Sequence, residues 1–504
     1  MRIIERMKEG IRSWLNVRPA DPKHLDIIAS FDFETNAMKN RIWYMGDANE
    51  LDQLYKQLSG GTDKYKFWAS TPSVGMEMRK IHTGLPGIIV DMLTSVVLTD
   101  LNDIKFANKT SQEVWEKVAE ENDISKLFEE ALKETLYIGD GAFKITFDSS
   151  ISDYPIVEFY PGDQIEIIYQ RGRLREIVFR TPYEHNKQEY VLKETYGYGY
   201  IKNRLEKDGK EIALDYLPQT KNLRDFEFAG YSEEGGDNKN AYMLAVPLMI
   251  YKSARFKNRG QSIFDRKIDA FDSLDEAWSQ WMDALRAGRT KEYIPETLLP
   301  RHPETGEIMK PNAFDNRYIQ TDADMKEGTQ NKITTEQPEI PHESYEATYV
   351  TALDLCMQGL ISPSTLGIDV KKLDNAEAQR EKEKATLYTR NAIIDALTKD
   401  IQSLVVAAMK AYREFNEIQS EDEPAPDVTF GEYANPSFES QVETISKAKA
   451  ARIMSTKTCV DELHGDTKDD DWKAEEVARI LEEEGIVQVE EPAVNLDGVN
   501  LDEV

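Results

Sequence analysis

The chain has 504 residues, 40% of them hydrophobic, enough for a sizeable core and more than one domain. Acidic residues outnumber basic ones, 92 against 62, for a formal charge of −30, the opposite of the cationic balance by which nucleic-acid binders hold phosphate. Only two cysteines occur, Cys356 and Cys459, which argues against a disulfide framework or a thiolate zinc site and fits synthesis in a reducing cytosol.

Residues 1–16 are amphipathic, with Ile3, Ile4, Met7, Ile11, Trp14 and Leu15 on one side and Arg2, Arg6, Lys8 and Arg12 elsewhere. Glu5 and Glu9 interrupt the basic face, so a soluble docking helix is expected rather than a membrane segment. No apolar run is long enough to span a membrane: Gly87–Leu98 is broken by Asp91, and Leu404–Met409 is short. No membrane partner is expected.

Periodicity is weak over residues 21–85, and only a helix near Leu51–Leu58 is expected there. Pro86–Leu98 reads as a buried helix with proline in its first turn. Thr110 to Glu113 is a capping-box pattern opening a helix with Val114, Trp115 and Val118. Ile124–Tyr137 is a further helix, with Leu127, Phe128, Ala131 and Leu132 inward; Gly139-Asp140-Gly141 stops it, and Ala142–Phe147 reads as a strand.

Residues 155–216 alternate in short runs: Ile156–Tyr160, Gln164–Gln170, Leu174–Thr181, Glu189–Tyr196 and Tyr198–Asn203. One antiparallel sheet is expected from them, giving an α+β body. Ser232–Asn240 has a loop composition, and Ala245–Tyr251 reads as a strand.

Gln261–Thr290 reads as one long helix. Phe264, Ile268, Phe271, Leu274, Trp278, Trp281 and Leu285 follow each other at three- and four-residue steps and form a narrow apolar seam. Asp265, Lys267, Asp269, Asp272, Asp275, Glu276 and Asp283 are expected on the solvated flanks. Trp278 and Trp281 read as seam packing rather than as a stacking platform for bases. A proline-rich insert, Lys291–Pro341, carries short strand-like pieces. His342–Leu360 returns as a second helix with Tyr345, Tyr349, Ala352, Leu355, Cys356 and Met357 on its apolar side, Cys356 as a small core residue.

A loop, Ser362–Asp374, precedes a very long helix, Asn375–Phe415, polar in its first half. Its second half is striped with Ile393, Ile394, Leu397, Ile401, Leu404, Val405 and Ala408. After the acidic linker Glu421–Pro426, Asp427–Tyr433 reads as a strand. Asn435-Pro436-Ser437 opens a last helical region with Val442, Ile445, Ile453, Trp472, Val477 and Ile480, and an acidic tail ends the chain.

No catalytic pattern stands out. There is no GxxxxGK[ST], no GxGxxG after a strand, no GxSxG and no HExxH. The six histidines are dispersed, and Asp466–Asp471 departs from a calcium loop at its third, sixth and twelfth positions. No metal or other cofactor is expected. Scattered carboxylates leave one enzymatic alternative, a metal-dependent nuclease or other DNA-processing enzyme.

The succession of parts is distinctive. The body leads through VPLMIYKSARFKNRGQSIFD (Val246–Asp265) into FDSLDEAWS (Phe271–Ser279); the insert, the returning helix, KKLDNAE (Lys371–Glu377) and the charged-to-apolar helix follow. This order resembles the portal proteins of long-tailed bacteriophages over residues 40–435. The resemblance implies a portal-type α+β fold, assembled as a ring of usually twelve subunits at one capsid vertex of the virion, made in the host cytoplasm. It implies a wing (1–260, with a spine helix and return strand at 375–435), a two-helix stem (261–290 and 342–361), a small α/β clip (291–341), a tunnel loop (362–374) and a helical crown with its tail (436–504). The expected role is that of a channel, not an enzyme, through which double-stranded genomic DNA is packaged, retained and ejected. Its implied partners are further copies of itself, the terminase packaging motor, a head-completion connector protein, and the major capsid and scaffolding proteins.

The stem seam would pack ring neighbours, and Lys371 and Lys372 would touch passing DNA. Arg301, His302, Lys310 and Arg317 would belong to the docking face of the clip.

Overall fold

The computed structural model describes residues 31–58, 66–71, 78–99, 101, 104–148, 150–229, 241–295, 298–299, 301–307, 318–321, 333–368, 376–418, 425–431, 438–464 and 470–483. Among the described residues five helices come first: α1 (Phe33–Met45), α2 (Ala48–Leu58), α3 (Leu85–Leu98), α4 (Lys109–Glu121) and α5 (Ile124–Ile138). Strands β1 (Asp140–Thr146), β2 (Ile156–Pro161), β3 (Ile165–Gln170), β4 (Arg173–His185), β5 (Gln188–Gly197), β6 (Tyr200–Lys207), β7 (Lys210–Ile212), β8 (Phe226–Glu227) and β9 (Ala245–Met249) follow. Then come α6 (Ile268–Ala287), β10 (Lys291–Pro295), β11 (Tyr318–Thr321), β12 (Thr334–Glu336), α7 (His342–Met357) and the 40-residue α8 (Ala376–Phe415). Helices α9 (Phe438–Ala450), α10 (Thr456–His464) and α11 (Asp470–Glu483) complete the order.

Two compact units divide the chain at Gly431 and Glu432. In the first, a mixed helix-and-sheet body, the strands after α5 make two sheets rather than the single one expected. β2 leaves the meander to pair with β1, which pairs with β9 on its other edge; β3 to β7 form the second sheet, with β8 on β6. The divide falls at Pro161, where a single 3-10 turn (Gly162–Gln164) redirects the chain. Alternation alone cannot tell which sheet a strand joins.

Other expectations shift for local reasons. Helix α1 escaped periodicity because its buried face is polar, with Asn36, Lys39 and Asn40 inward; Asn36 and Asn40 donate to Asp265 Oδ1 at 2.8 and 3.3 Å. Helix α4 is capped by Asn108, which accepts from Thr110 N–H at 2.9 Å, not by Thr110. Asp427–Tyr433 is not a strand where described: Asp427 and Phe430 make isolated bridges to Lys105 and Leu101. The helix over α3 and its proline stand as expected, with Ile89, Val90, Leu93 and Val97 inaccessible.

The main core lies between these helices, the β1 sheet and the second half of α8, where Ile393, Leu397, Ile401, Leu404, Val405 and Ala408 are buried. Burial begins earlier than the polar sequence of α8 suggests. Thr386, Thr389 and Arg390 are also inside, and Arg390 donates to Gly431 O at 2.6 Å.

Asp400 projects from α8 beside β9, and burial pushes its carboxyl up to about 7, against a hydrogen bond from the Met249 backbone. Between about pH 4 and pH 7 the folded state keeps a proton that the unfolded chain releases. Stability therefore falls as pH rises across that window, at most by about 1.4 kcal/mol per unit. Asp400→Asn is expected to flatten this slope in thermal melts taken from pH 4 to 8; an unchanged slope would place its origin elsewhere.

In the second unit α10 packs against both α9 and α11. Ile445, Cys459 and Val460 are buried; Ile453, expected on the apolar side, is 79% exposed in the turn after α9. The N-terminal sixteen residues, Ser232–Asn240, Asn435–Ser437 and the tail beyond Glu483 lie outside the described residues.

Candidate functional site

Helices α6 and α7 form an antiparallel hairpin that carries the strand insert at its tip. Helix α6 begins at Ile268, not at Gln261. The seven residues before it are turns, because Ile263 N–H and Ser262 Oγ bond Leu136 O while Phe264 N–H bonds Ser262 Oγ. Gly288 closes α6 against the Ile340 side chain. At the other end Lys267 Nζ donates to Leu355 O and Gln358 O at 2.8 and 2.6 Å, so a cation satisfies the last carbonyls of α7.

The root of α6 is sunk in the body, and its buried stripe is not the expected one. Phe264, Ile268, Phe271 and Leu274 are inside, but so are Asp272, Asp275 and Ser279, although the two aspartates are expected on the solvated flank. These polar groups hold the segment before α3. Asp272 accepts from Phe67 N and Trp68 N at 2.8 and 3.3 Å, and Ser279 Oγ accepts from Ile81 N at 2.9 Å. Asp275 meets His82 Nδ1 at 2.7 Å, Thr83 N at 2.9 Å, Thr83 Oγ1 at 3.0 Å and Trp68 Nε1 at 3.1 Å. Burial pushes the Asp272 carboxyl above the usual range even though two backbone N–H groups oppose it.

The outer half of the hairpin is looser. Trp278 and Trp281 are half-buried and Leu285 is 44% exposed, so within one subunit the expected seam is covered only at its root. Trp278 packs on Tyr349 at 5.4 Å between ring centres, and Trp281 lies parallel to Tyr345 at 6.4 Å. On α7, which ends at Met357 rather than Leu360, Ala352, Leu353, Cys356 and Met357 are buried and Leu355 is exposed. Burial pushes the Cys356 thiol up to about 12, as suits an inert core group.

The loop after α7 is anchored where it starts. Ser362 N donates to Thr386 Oγ1 at 2.8 Å, and the hydroxyls of Ser362, Ser364, Thr365 and Thr386 form a cluster at 3.0 Å spacings and slightly longer. Lys371 and Lys372 lie outside the described residues, as do Lys310 and Arg317 of the insert. Arg301 and His302 are exposed and shape their own turn: Arg301 Nη1 donates to Gly306 O at 3.3 Å, and His302 Nδ1 accepts from Glu304 N at 3.3 Å. In the insert β10 is central, parallel to β11 and antiparallel to β12.

Asp275 and His82 form a carboxylate–imidazole pair, but His82 Nε2 is buried and partnerless, so it has no path to a reacting atom. Among the described residues no three His, Cys, Asp or Glu side chains are grouped to hold a metal ion. No described helix is long and apolar enough to cross a membrane.

A family model described as "Phage portal protein, SPP1 Gp6-like" matches residues 33–488. The chain belongs to the phage portal protein family. Among solved structures it is similar to a chain in the neck of a native GTA particle computed with C12 symmetry, at 11% identity, TM-score 0.41, over 75% of this chain and 89% of that one. It is also similar to one in the neck of an empty GTA particle computed with C6 symmetry, at 12% identity, TM-score 0.39, over 74% and 88%. Likenesses at scores this low do not bear on function. No curated protein matches.

For this portal-family chain, sequence reasoning missed the polar stripe of α6. A signal was there: Asp272, Asp275 and Ser279 follow each other at three- and four-residue steps, the spacing of one helix face.

The outer hairpin permits a graded test. Trp278→Ala removes a half-buried indole packed on Tyr349 and Trp281, and is expected to cost about 1.5–3 kcal/mol, below the roughly 3–5 of a fully buried aromatic. Urea unfolding measures this; a loss under about 0.5 kcal/mol would mean that these ring contacts contribute little within a subunit.

Proposed function

We propose that this portal protein closes into a ring, of twelve subunits as expected, at one vertex of a phage capsid. The α6–α7 hairpins stand as the wall of an axial channel for double-stranded DNA. The single observation that carries this reading is the portal-family match across 33–488. The hairpin supports it: its root is locked to the body, while its outer half keeps Leu285 and the aromatic rungs partly uncovered, available to neighbours in a rotationally closed contact. A net charge of −30 per subunit lets DNA slide without being trapped.

In this reading residues 261–290 and 342–361 are the stem, 291–341 the clip, 362–374 the tunnel loop, 436–504 the crown, and the remainder the wing. The protein is a conduit rather than an enzyme. A separate ATP-driven terminase docks at the clip during packaging, a connector protein takes its place afterwards, and capsid and scaffolding proteins hold the rim. Electron microscopy of purified protein and of assembled heads is expected to show a ring with an axial hole. A solid particle in both would end the proposal, and magnesium-dependent DNA cleavage by the purified chain would favour a nuclease instead.

Lys371 and Lys372 are proposed to touch phosphates from the tunnel loop. Changing both to Ala is expected to reduce DNA-filled particles by roughly tenfold while rings still form. Normal DNA content in particles of the double variant would remove that role.

A further inference from the structure

The face of α1 turned away from the core carries Met38 and Met45, seven residues apart and so on one side of the helix, 59% and 67% exposed. Ile88 of α3, 50% exposed, extends that face. The two helices touch beside it, so closely that a Cβ on Gly87 would stand 2.8 Å from Tyr44 O. Large apolar side chains on two touching helices make a patch rather than a scatter of single residues.

The charges beside the patch are mainly acidic. Asp47 and Glu50 follow the end of α1, and Asp91 stands one turn after Ile88. Asp91 accepts from Tyr44 OH at 3.0 Å and meets Lys133 at 3.5 Å. Arg41, on α1 itself, is held in a fork by Asp163 at 2.7 and 3.1 Å.

The described chain starts at Phe31, two residues before α1, where Lys39 Nζ lies 4.9 Å over the Phe31 ring. Among the thirty residues before it, the amphipathic pattern of 1–16 has found no use so far. In a chain of −30 this stretch is locally basic, with Arg2, Arg6, Lys8 and Arg12 against Glu5 and Glu9. Its apolar side, with Ile4, Met7, Ile11 and Trp14 among others, needs a cover. As a helix it would be about 24 Å long, against about 20 Å for the 13 residues of α1. Pro19 and Pro22 stop it from running on into α1 as one helix. Residues 17–30 can extend about 46 Å, enough to return the segment along α1 in either direction.

We propose that residues 1–16 lie as a helix across this patch of their own subunit, with the apolar side over Met38, Met45 and Ile88 and the basic residues towards Asp47, Glu50 and Asp91. Three observations select this occupant. The chain leading from it enters α1 beside the patch, its length matches α1, and its charge is opposite to that of the rim. The proposal is independent of the DNA-channel reading.

The test follows oxidation of Met38 and Met45 by dilute hydrogen peroxide in single subunits of the full-length protein. Peptide mass spectrometry reads it, with N-acetylmethionine amide in the same tube as the exposed standard. Covered thioethers are expected to oxidise about tenfold more slowly than the standard. Ile4→Asp combined with Ile11→Asp spoils the apolar side of the segment and leaves the patch intact. It is expected to bring both methionines within about twofold of the standard. Trypsin gives a second measurement: Met45→Glu, which puts a charge into the patch, is expected to speed cleavage after Arg12 by about tenfold.

Oxidation at the standard's rate in the unsubstituted protein overturns the proposal. So does protection that survives the double substitution, which would mean a different cover, or protection that fades on dilution, which would make the cover a second copy. Cleavage after Arg12 at the same rate with and without Met45→Glu places the segment elsewhere and overturns it too.

Discussion

Asp275→Ala is expected to lower the unfolding free energy by about 3–5 kcal/mol, the scale of breaking a buried, hydrogen-bonded ionic contact. The carboxylate is inaccessible and is met by four groups from 68–83. Removing it strands the Trp68 and Thr83 donors, and each buried polar group left unanswered costs about 1–3 kcal/mol. It also leaves the segment before α3 held to the root of the hairpin by Asp272 and Ser279 alone among these polar groups, linking a stability defect to the part proposed to wall the channel.

Asp275→Asn should cost less. Its remaining oxygen can still serve Thr83, and the imidazole can present an acceptor to the new amide by changing tautomer. Trp68 Nε1 alone would then be stranded, at about 1–3 kcal/mol. Urea unfolding followed by tryptophan fluorescence separates the two variants. If Asp275→Ala melted with the wild type, within about 0.5 kcal/mol, the clamp would be incidental.

The second large effect is expected at the junction of α5, β1 and the segment leading to α6. Asp140 is inaccessible and accepts from Arg259 Nε at 2.9 Å, Arg259 Nη2 at 2.7 Å and Gly260 N at 2.6 Å. The same guanidinium donates to Gly162 O and Ile165 O and lies 3.7 Å over the Phe33 ring. Beside it Gly139 and Gly260 press backbone to backbone: a Cβ on Gly260 would stand 2.0 Å from Gly139 O, and Gly139 has φ 126.

Asp140→Ala leaves a guanidinium buried without its anion, at about 3–5 kcal/mol. Arg259→Lys keeps the charge and loses the planar fork, at about 2 kcal/mol. The order of these two costs, measured by the same unfolding experiment, checks the reading. Equal and small losses would show that the glycine contact alone holds the junction.

Both sites show why part of the structure was hidden in the sequence. An aspartate at helical spacing looks the same whether it faces water or a backbone N–H arriving from two hundred residues away. Spacing therefore puts Asp272 and Asp275 on the outer flank, and Leu285 and Leu355 on buried faces. Asp140 looks like part of a glycine stop signal, and the stop is real, but its carboxylate is the anchor for Arg259. By contrast, α3, α5 and the second half of α8 were legible because their own apolar periodicity decides which face is buried. The candidate site divides in the same way: two helices flanking a strand insert could be read directly, whereas the root of the hairpin could not.

By itself the sequence determined the α+β class, the order of body, hairpin, insert, spine and terminal helices, and the strong negative charge. These come from local periodicity, turn residues and composition, which need no knowledge of distant neighbours. Only the tertiary structure decided that the strands part into two sheets, that α6 starts at Ile268, and that Asp272 and Asp275 point inward. Those outcomes depend on which backbone donors and carbonyls from remote segments meet a given residue, and spacing along the chain does not encode that.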